Sequence, residues 1–299
     1  MDRRTFIQAK AAAGAGLLLG NAQSSRANEA HPVIEPPSSP TVFKLASREF
    51  LIPGETIDQK LDNLERWGFN AIELDGNQIR QHKQEIRTAL RGRDLEVCMV
   101  SGGYQGVLVH QDPNQRHEAK ESIKEMVSLS AVFQPIGLIV VPAFVGQSTL
   151  YMQYAQEALL NDLPELAEHA WQNGMRIILE PLNHTETWYI RFLAQAASIC
   201  KQVNHPGLAM MGDFFHMGIE EPCDYGAILS SRQWIKHIHL ASRQRFLPGQ
   251  DERDFRPGFR ALKEIGYSGY CSFECFPQGD VEVEIPKSVE FLRNQWLDA

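Results

Sequence analysis

Cysteine is scarce in this chain, and what there is stands in no Cys-x-x-Cys pair. The five residues (Cys98, Cys200, Cys223, Cys271 and Cys275) are odd in number, which argues against a disulfide framework and against a thiolate metal site. Cys271 and Cys275 are four apart on a predicted strand, so about 13 Å separates them and they cannot bridge. All five are read as small, buried apolar residues. Positive charge is also in deficit: 29 Lys and Arg face 37 Asp and Glu, giving a formal charge of -8 and a pI near 5.7. Such a balance repels a phosphate backbone, so no nucleic-acid partner is expected. The small, apolar stretch from Ala11 to Gly20 is too short to span a bilayer. Finally, no glycine-rich phosphate loop follows the first predicted strand. Ala46-Ser47-Arg48-Glu49-Phe50 stands there instead, which counts against a doubly wound nucleotide-binding sheet.

What is present begins with Met1-Asp2-Arg3-Arg4-Thr5-Phe6-Ile7-Gln8, which resembles a twin-arginine export signal once the apolar stretch is added. Gly20-Asn21-Ala22 offers the small residues that a signal peptidase reads. The expectation is a signal peptide over residues 1–22 and a periplasmic destination, with no membrane partner after cleavage. The bland alternative is a basic, Ala-rich helix. Residues 23–40, with Pro32 and Pro36-Pro37-Ser38-Ser39-Pro40, show no apolar period and read as a linker.

From residue 41 to 299, strand and helix signals alternate. Short apolar runs at 42–46, 71–74, 97–100, 138–141, 176–180, 208–213, 236–240 and 270–274 read as strands. Between and after them, 56–67, 79–90, 118–133, 154–171, 191–203, 224–234, 257–265 and 284–296 carry helical spacing, as in Ile57, Leu61, Leu64 and Trp67. Leu138-Ile139-Val140-Val141 is apolar throughout, as a parallel strand covered on both faces must be. Eight such units over a domain of this size predict a single α/β domain, a (β/α)8 barrel.

Four of the later strands end in a residue of metal-ligand type: Glu180, Asp213, His239 and Glu274. Their separations of 33, 26 and 35 residues are each about one strand-helix-strand unit, so the four converge at one end of a parallel barrel. Any one alone would read as a solvated strand end. Together they make an oxygen and imidazole donor set suited to one divalent ion such as Mn, Co, Mg or Zn.

The segments Leu179-Glu180-Pro181-Leu182-Asn183-His184-Thr185-Glu186, Asp213-Phe214-Phe215-His216-Met217-Gly218-Ile219-Glu220-Glu221, His237-Ile238-His239 and Ser272-Phe273-Glu274 resemble the sugar isomerase and epimerase family built on a xylose isomerase-like barrel. That group includes D-tagatose and D-psicose 3-epimerases. Gly68-Phe69-Asn70-Ala71-Ile72-Glu73-Leu74 looks like the family's second strand. The resemblance implies that Glu180, Asp213, His239 and Glu274 bind the ion, that Glu180 and Glu274 double as the acid/base pair, and that Glu186, His216 and Arg245 bind substrate. Ala241-Ser242-Arg243-Gln244 departs from the ketohexose epimerases, which leaves the sugar open.

The residue types agree with that chemistry. A cation on a carbonyl oxygen lowers the energy of the enediolate formed when the neighbouring proton leaves, and two carboxylates can serve its two faces. The expectation is a metal-dependent isomerase or epimerase of a keto sugar, with a small carbohydrate as its partner and assembly into homo-oligomers left open. A lyase or dehydratase acting on 3-keto-glycosides or inososes would need the same proton step and the same ion. An endonuclease IV-like repair enzyme would need more His, Asp and Glu ligands; a non-catalytic sugar-binding protein would have lost a carboxylate. His237 shares the inward parity of His239 and is expected one layer deeper, held by a hydrogen bond. His110, His117, His169 and His205 read as surface residues, Phe214, Phe215 and Trp188 as core or pocket wall, and Glu220-Glu221 as a solvated helix start.

Overall fold

The computed structural model describes residues 41–299, and the expected signal peptide and linker lie outside the described residues. The eight strands close into one parallel barrel in sequence order: β1 (Leu45–Arg48), β2 (Ala71–Asp75), β3 (Glu96–Ser101), β4 (Leu138–Val140), β5 (Ile177–Leu179), β6 (Leu208–Asp213), β7 (Ile235–Leu240) and β8 (Tyr270–Phe273). Around them run α1 (Ile57–Arg66), α2 (Gly76–Ala89), α3 (Pro113–Ser130), α4 (Met152–Gln172), α5 (Leu193–Val203), α6 (Phe214–Glu220), α7 (Asp224–Ser231), α8 (Arg256–Glu264) and α9 (Val281–Leu297). No described helix is long and apolar enough to cross a membrane.

Local chemistry starts the helices where it should. Thr56 and Gln59 form a reciprocal capping box for α1, whose Ile57, Leu61 and Leu64 face the barrel. Asp112 caps α3 with Pro113 in its first turn, so that helix begins five residues before the predicted 118. Asp213 accepts the Phe215 N–H at 2.7 Å and caps α6 directly off the end of β6. This short helix falls in a stretch read as a connection.

The first strand also moves. Val42 and Phe43 suggested 42–46, yet Val42 is exposed and Phe43 stacks on Trp296 with ring centroids 4.8 Å apart. The ladder starts at Leu45, paired with Cys271 of β8, and therefore runs on to Arg48. Among the cysteines, Cys98, Cys200, Cys271 and Cys275 are buried, but Cys223 is exposed. It lies in the N-cap position of α7, on the surface turn between α6 and α7, where no element covers it.

The larger core lies between barrel and helices. The barrel interior is filled by a second cluster in which the small Ala46, Ala71 and Ala209 leave room for Met99, Ile139, Ile178 and Met211. The barrel is thus a solid plug, and the groups above it stand on a rigid floor.

Candidate active site

Register brings the strand-end residues together. Asp213 pairs with His239 across β6 and β7, while Glu180 and Glu274 each follow the last residue of their strand, their N–H groups donating to Val140 O and Leu240 O at 3.2 Å. All four side chains are buried, and each presents one ligand atom such that these atoms lie within 4.8 Å of one another. His239 Nδ1 stands 3.1 Å from Glu274 Oε2 and 3.5 Å from Glu180 Oε1.

Three of these atoms, Glu180 Oε1, Asp213 Oδ2 and His239 Nδ1, are buried without a hydrogen-bond partner. Buried polar atoms left so are costly and call for an explanation. The other oxygen of Asp213 is spent on the α6 cap, which aims Oδ2 at the common point. One divalent cation there would satisfy all three atoms, and the nitrogen and oxygen donor set suits Mn, Co, Mg or Zn.

Beneath the four lies a buried carboxylate that the sequence reading did not place in the site. Glu73 of β2 is fully buried and lies within 3.0 Å of His239 Nε2 and 2.9 Å of His237 Nε2. His237 is accordingly one layer deeper and hydrogen-bonded, as expected. Arg48, at the end of β1, bridges Glu73 (3.5 Å) and Glu274. A carboxylate in the middle of an apolar barrel strand must have a partner, and that was the available signal.

The groups expected to bind substrate line the same mouth. Arg245 donates from Nη1 to Glu186 Oε1 at 3.0 Å and from Nη2 to Glu274 Oε2 at 3.1 Å, with its guanidinium 4.9 Å from the Phe215 ring. It holds a left-handed backbone at φ 61, a strained conformation for a side chain of its size. His216, on α6, accepts the N–H of Asn183 at its Nδ1 (3.2 Å), and its Nε2 faces Asp213 Oδ2 at 3.5 Å. Phe214 is core and Phe215 half-buried, as read. Glu220 and Glu221 differ from the reading, because they stand at the end of α6 and not at a helix start. Glu220 accepts the His184 N–H (2.7 Å) and Glu221 the Leu193 N–H (2.7 Å), tying the loop after β5 to α6.

Burial opposes charge throughout this centre, and partners override it at His239 and Glu274 but not at Glu180. Burial disfavours imidazolium at His239, but Glu73 and Glu274 override it and hold its pKa well above the ordinary value. Burial likewise would raise Glu274, but His239, Arg48 and Arg245 hold it well below the usual carboxylate range. At Glu180 burial wins, and His239 offsets it only in part, so its pKa is raised.

A cavity of about 540 Å³ opens on this centre, with Arg48, Glu180, Arg245 and Glu274 in its wall and Tyr104 and Phe144 across from them. The sequence from 61 to 295 matches the family model described as a xylose isomerase-like TIM barrel. The chain belongs to that family. Within it, the chain is 28% identical over 252 residues to 3-dehydro-D-guloside 4-epimerase of Escherichia coli (strain K12), covering 81% of this chain and 94% of the relative. It is 24% identical to D-psicose 3-epimerase of Ruminiclostridium cellulolyticum, covering 72% and 77%. A crystal structure of 3-keto-D-glucoside 4-epimerase from E. coli in its apo form superposes with a TM-score of 0.79 at 25% identity, covering 85% of this chain and all of that one. The xylose isomerase-like barrel is therefore both the fold and the family, and these relatives are sugar epimerases.

Proposed function

We propose that this chain is a divalent-cation-dependent epimerase of keto sugars that inverts a carbon next to a carbonyl. The observation that carries the reading is the convergence of unpaired buried ligand atoms from Glu180, Asp213 and His239 beside Glu274. When bound, the cation would polarise the substrate carbonyl and stabilise the negative charge that develops on its oxygen.

The protein's own groups do the rest. Glu274, held ionised by its pairs with Arg48 and Arg245, takes the proton. Glu180, which meets the same ring nitrogen of His239 as Glu274 does, returns one to the opposite face, and the roles exchange in the reverse direction. Arg245 and Glu186 fix substrate hydroxyls, and His216 directs its Nε2 at the reacting centre from α6. A 3-keto-glycoside is the substrate class favoured by the 3-dehydro-D-guloside 4-epimerase, a relative that matches 81% of the chain. Incubating a panel of free ketoses and 3-keto-glycosides with the protein, with Mn added and then chelated, should give a product of unchanged mass with Mn and none after chelation. Full activity after exhaustive chelation would refute the cation, and loss of an aglycone or of water would replace the epimerase by the lyase.

We also propose that residues 1–22 are a twin-arginine signal and that the mature protein works in the periplasm. Sequencing the secreted form should find Gln23 first, and Arg3→Lys with Arg4→Lys should keep the chain in the cytoplasm. Undiminished export of the double variant would overturn this.

A further inference from the structure

Two phenylalanines at the barrel mouth are placed where burial does not explain them. Phe50, in the single turn after β1, is 51% exposed, and Phe276, three residues after β8, is 58% exposed. Their ring centroids are 5.9 Å apart at 36°. Adjacent exposed apolar rings mark a surface made to be covered.

Both rings are anchored to the catalytic groups. The Arg48 guanidinium lies 5.3 Å from the Phe50 ring centre and also pairs with Glu274. The Phe276 N–H donates to Arg245 O at 2.8 Å, and Arg245 reaches Glu186 and Glu274. The pair is not part of the cavity lining but stands directly behind two residues that are, Arg48 and Arg245, on the Glu274 side. Cavities of roughly 300–1,000 Å³ hold drug-sized ligands, so a single sugar ring leaves much of these 540 Å³ unfilled. The part of the wall made by Arg48, Glu180, Glu186, Arg245 and Glu274 is charged and fits a hydroxylated ring. The Phe50 and Phe276 rings are flat and apolar and fit something else attached to it.

We propose that Phe50 and Phe276 form an aglycone subsite that favours keto sugars carrying a flat, apolar aglycone over free keto sugars and small alkyl glycosides. The inference rests on the epimerase reading for its reacting ring. Aromatic faces stack on an aryl group with offset or tilted geometry, and a bare sugar would leave both rings wet.

The test compares phenyl and methyl 3-keto-glucosides with the Mn-loaded protein, together with calorimetric binding of phenyl glucoside, which lacks the keto group. In the wild type, kcat/KM should favour the phenyl compound by roughly tenfold or more. The double variant Phe50→Ala, Phe276→Ala should remove most of that ratio and the phenyl glucoside binding, and Phe276→Leu, which keeps apolar bulk without a flat face, should lower the ratio part of the way. A wild-type ratio near one, or an unchanged ratio in the double variant, overturns the subsite. So does a wild-type dimer that the double variant breaks with the ratio intact, since the rings would then join two copies of the chain. If no keto sugar is turned over but phenyl glucoside binds through these rings, the subsite stands and the epimerase reading falls.

Discussion

Glu180→Gln and Glu274→Gln should each lower kcat by about a hundred- to ten-thousandfold, the usual worth of a positioned acid or base, while the variants stay folded. Glutamine keeps the shape and the neutral hydrogen bonds but cannot take a proton. The two changes should differ in detail. At Glu274 the amide also loses its ion pairs with Arg48 and Arg245, so Glu274→Gln should raise KM as well, whereas Glu180, which pairs with neither, should lose kcat with less change in KM. In heavy water, the wild-type product should carry deuterium at the inverted carbon, because the proton returned on one face is not the proton removed from the other. Mass spectrometry reads this directly. Product without deuterium would mean one group passes the same proton back and forth, and the division of labour between Glu180 and Glu274 would be wrong.

How much of this was legible beforehand follows from where each residue sits. Glu180, Asp213, His239 and Glu274 each stand at the end of a strand or one residue beyond it or before it, and sequence shows both the strand and its end. Barrel closure then does the assembling, since parallel strands in sequence order must present their C-terminal ends together. Glu73 was not legible as part of the site, because it lies in the middle of β2 and its partner His237 is 164 residues away. Arg48 was missed for a different reason: the apolar pair Val42 and Phe43 drew the first strand forward, which left Arg48 in a loop. The α6 helix escaped because its start depends on the Asp213 cap, and Asp213 had been assigned only to the ion. One carboxylate does both, one oxygen for each.

Glu73 supplies the second large effect. Its carboxylate is positioned to accept from the Nε2 of both His237 and His239 and faces Arg48 Nε at 3.5 Å. Accepting from His239 Nε2–H fixes that ring in the tautomer whose Nδ1 is free to bind an ion. Glutamine at 73 has only one accepting oxygen, so its NH₂ must face a ring nitrogen or the guanidinium. If it faces His239, the ring proton moves to Nδ1 and blocks the ligand atom; if it faces Arg48, two donors meet at a side chain that is itself fully buried. Either way Glu73→Gln should weaken Mn binding by about ten- to a hundredfold, read from the EPR signal of free Mn(II) during titration and so independent of turnover. At saturating Mn, kcat should recover much more fully than in Glu180→Gln or Glu274→Gln, because Glu73 touches no reacting atom. Mn affinity equal to wild type in Glu73→Gln would show that the packing of the barrel floor alone, and not this carboxylate, sets the His239 ring.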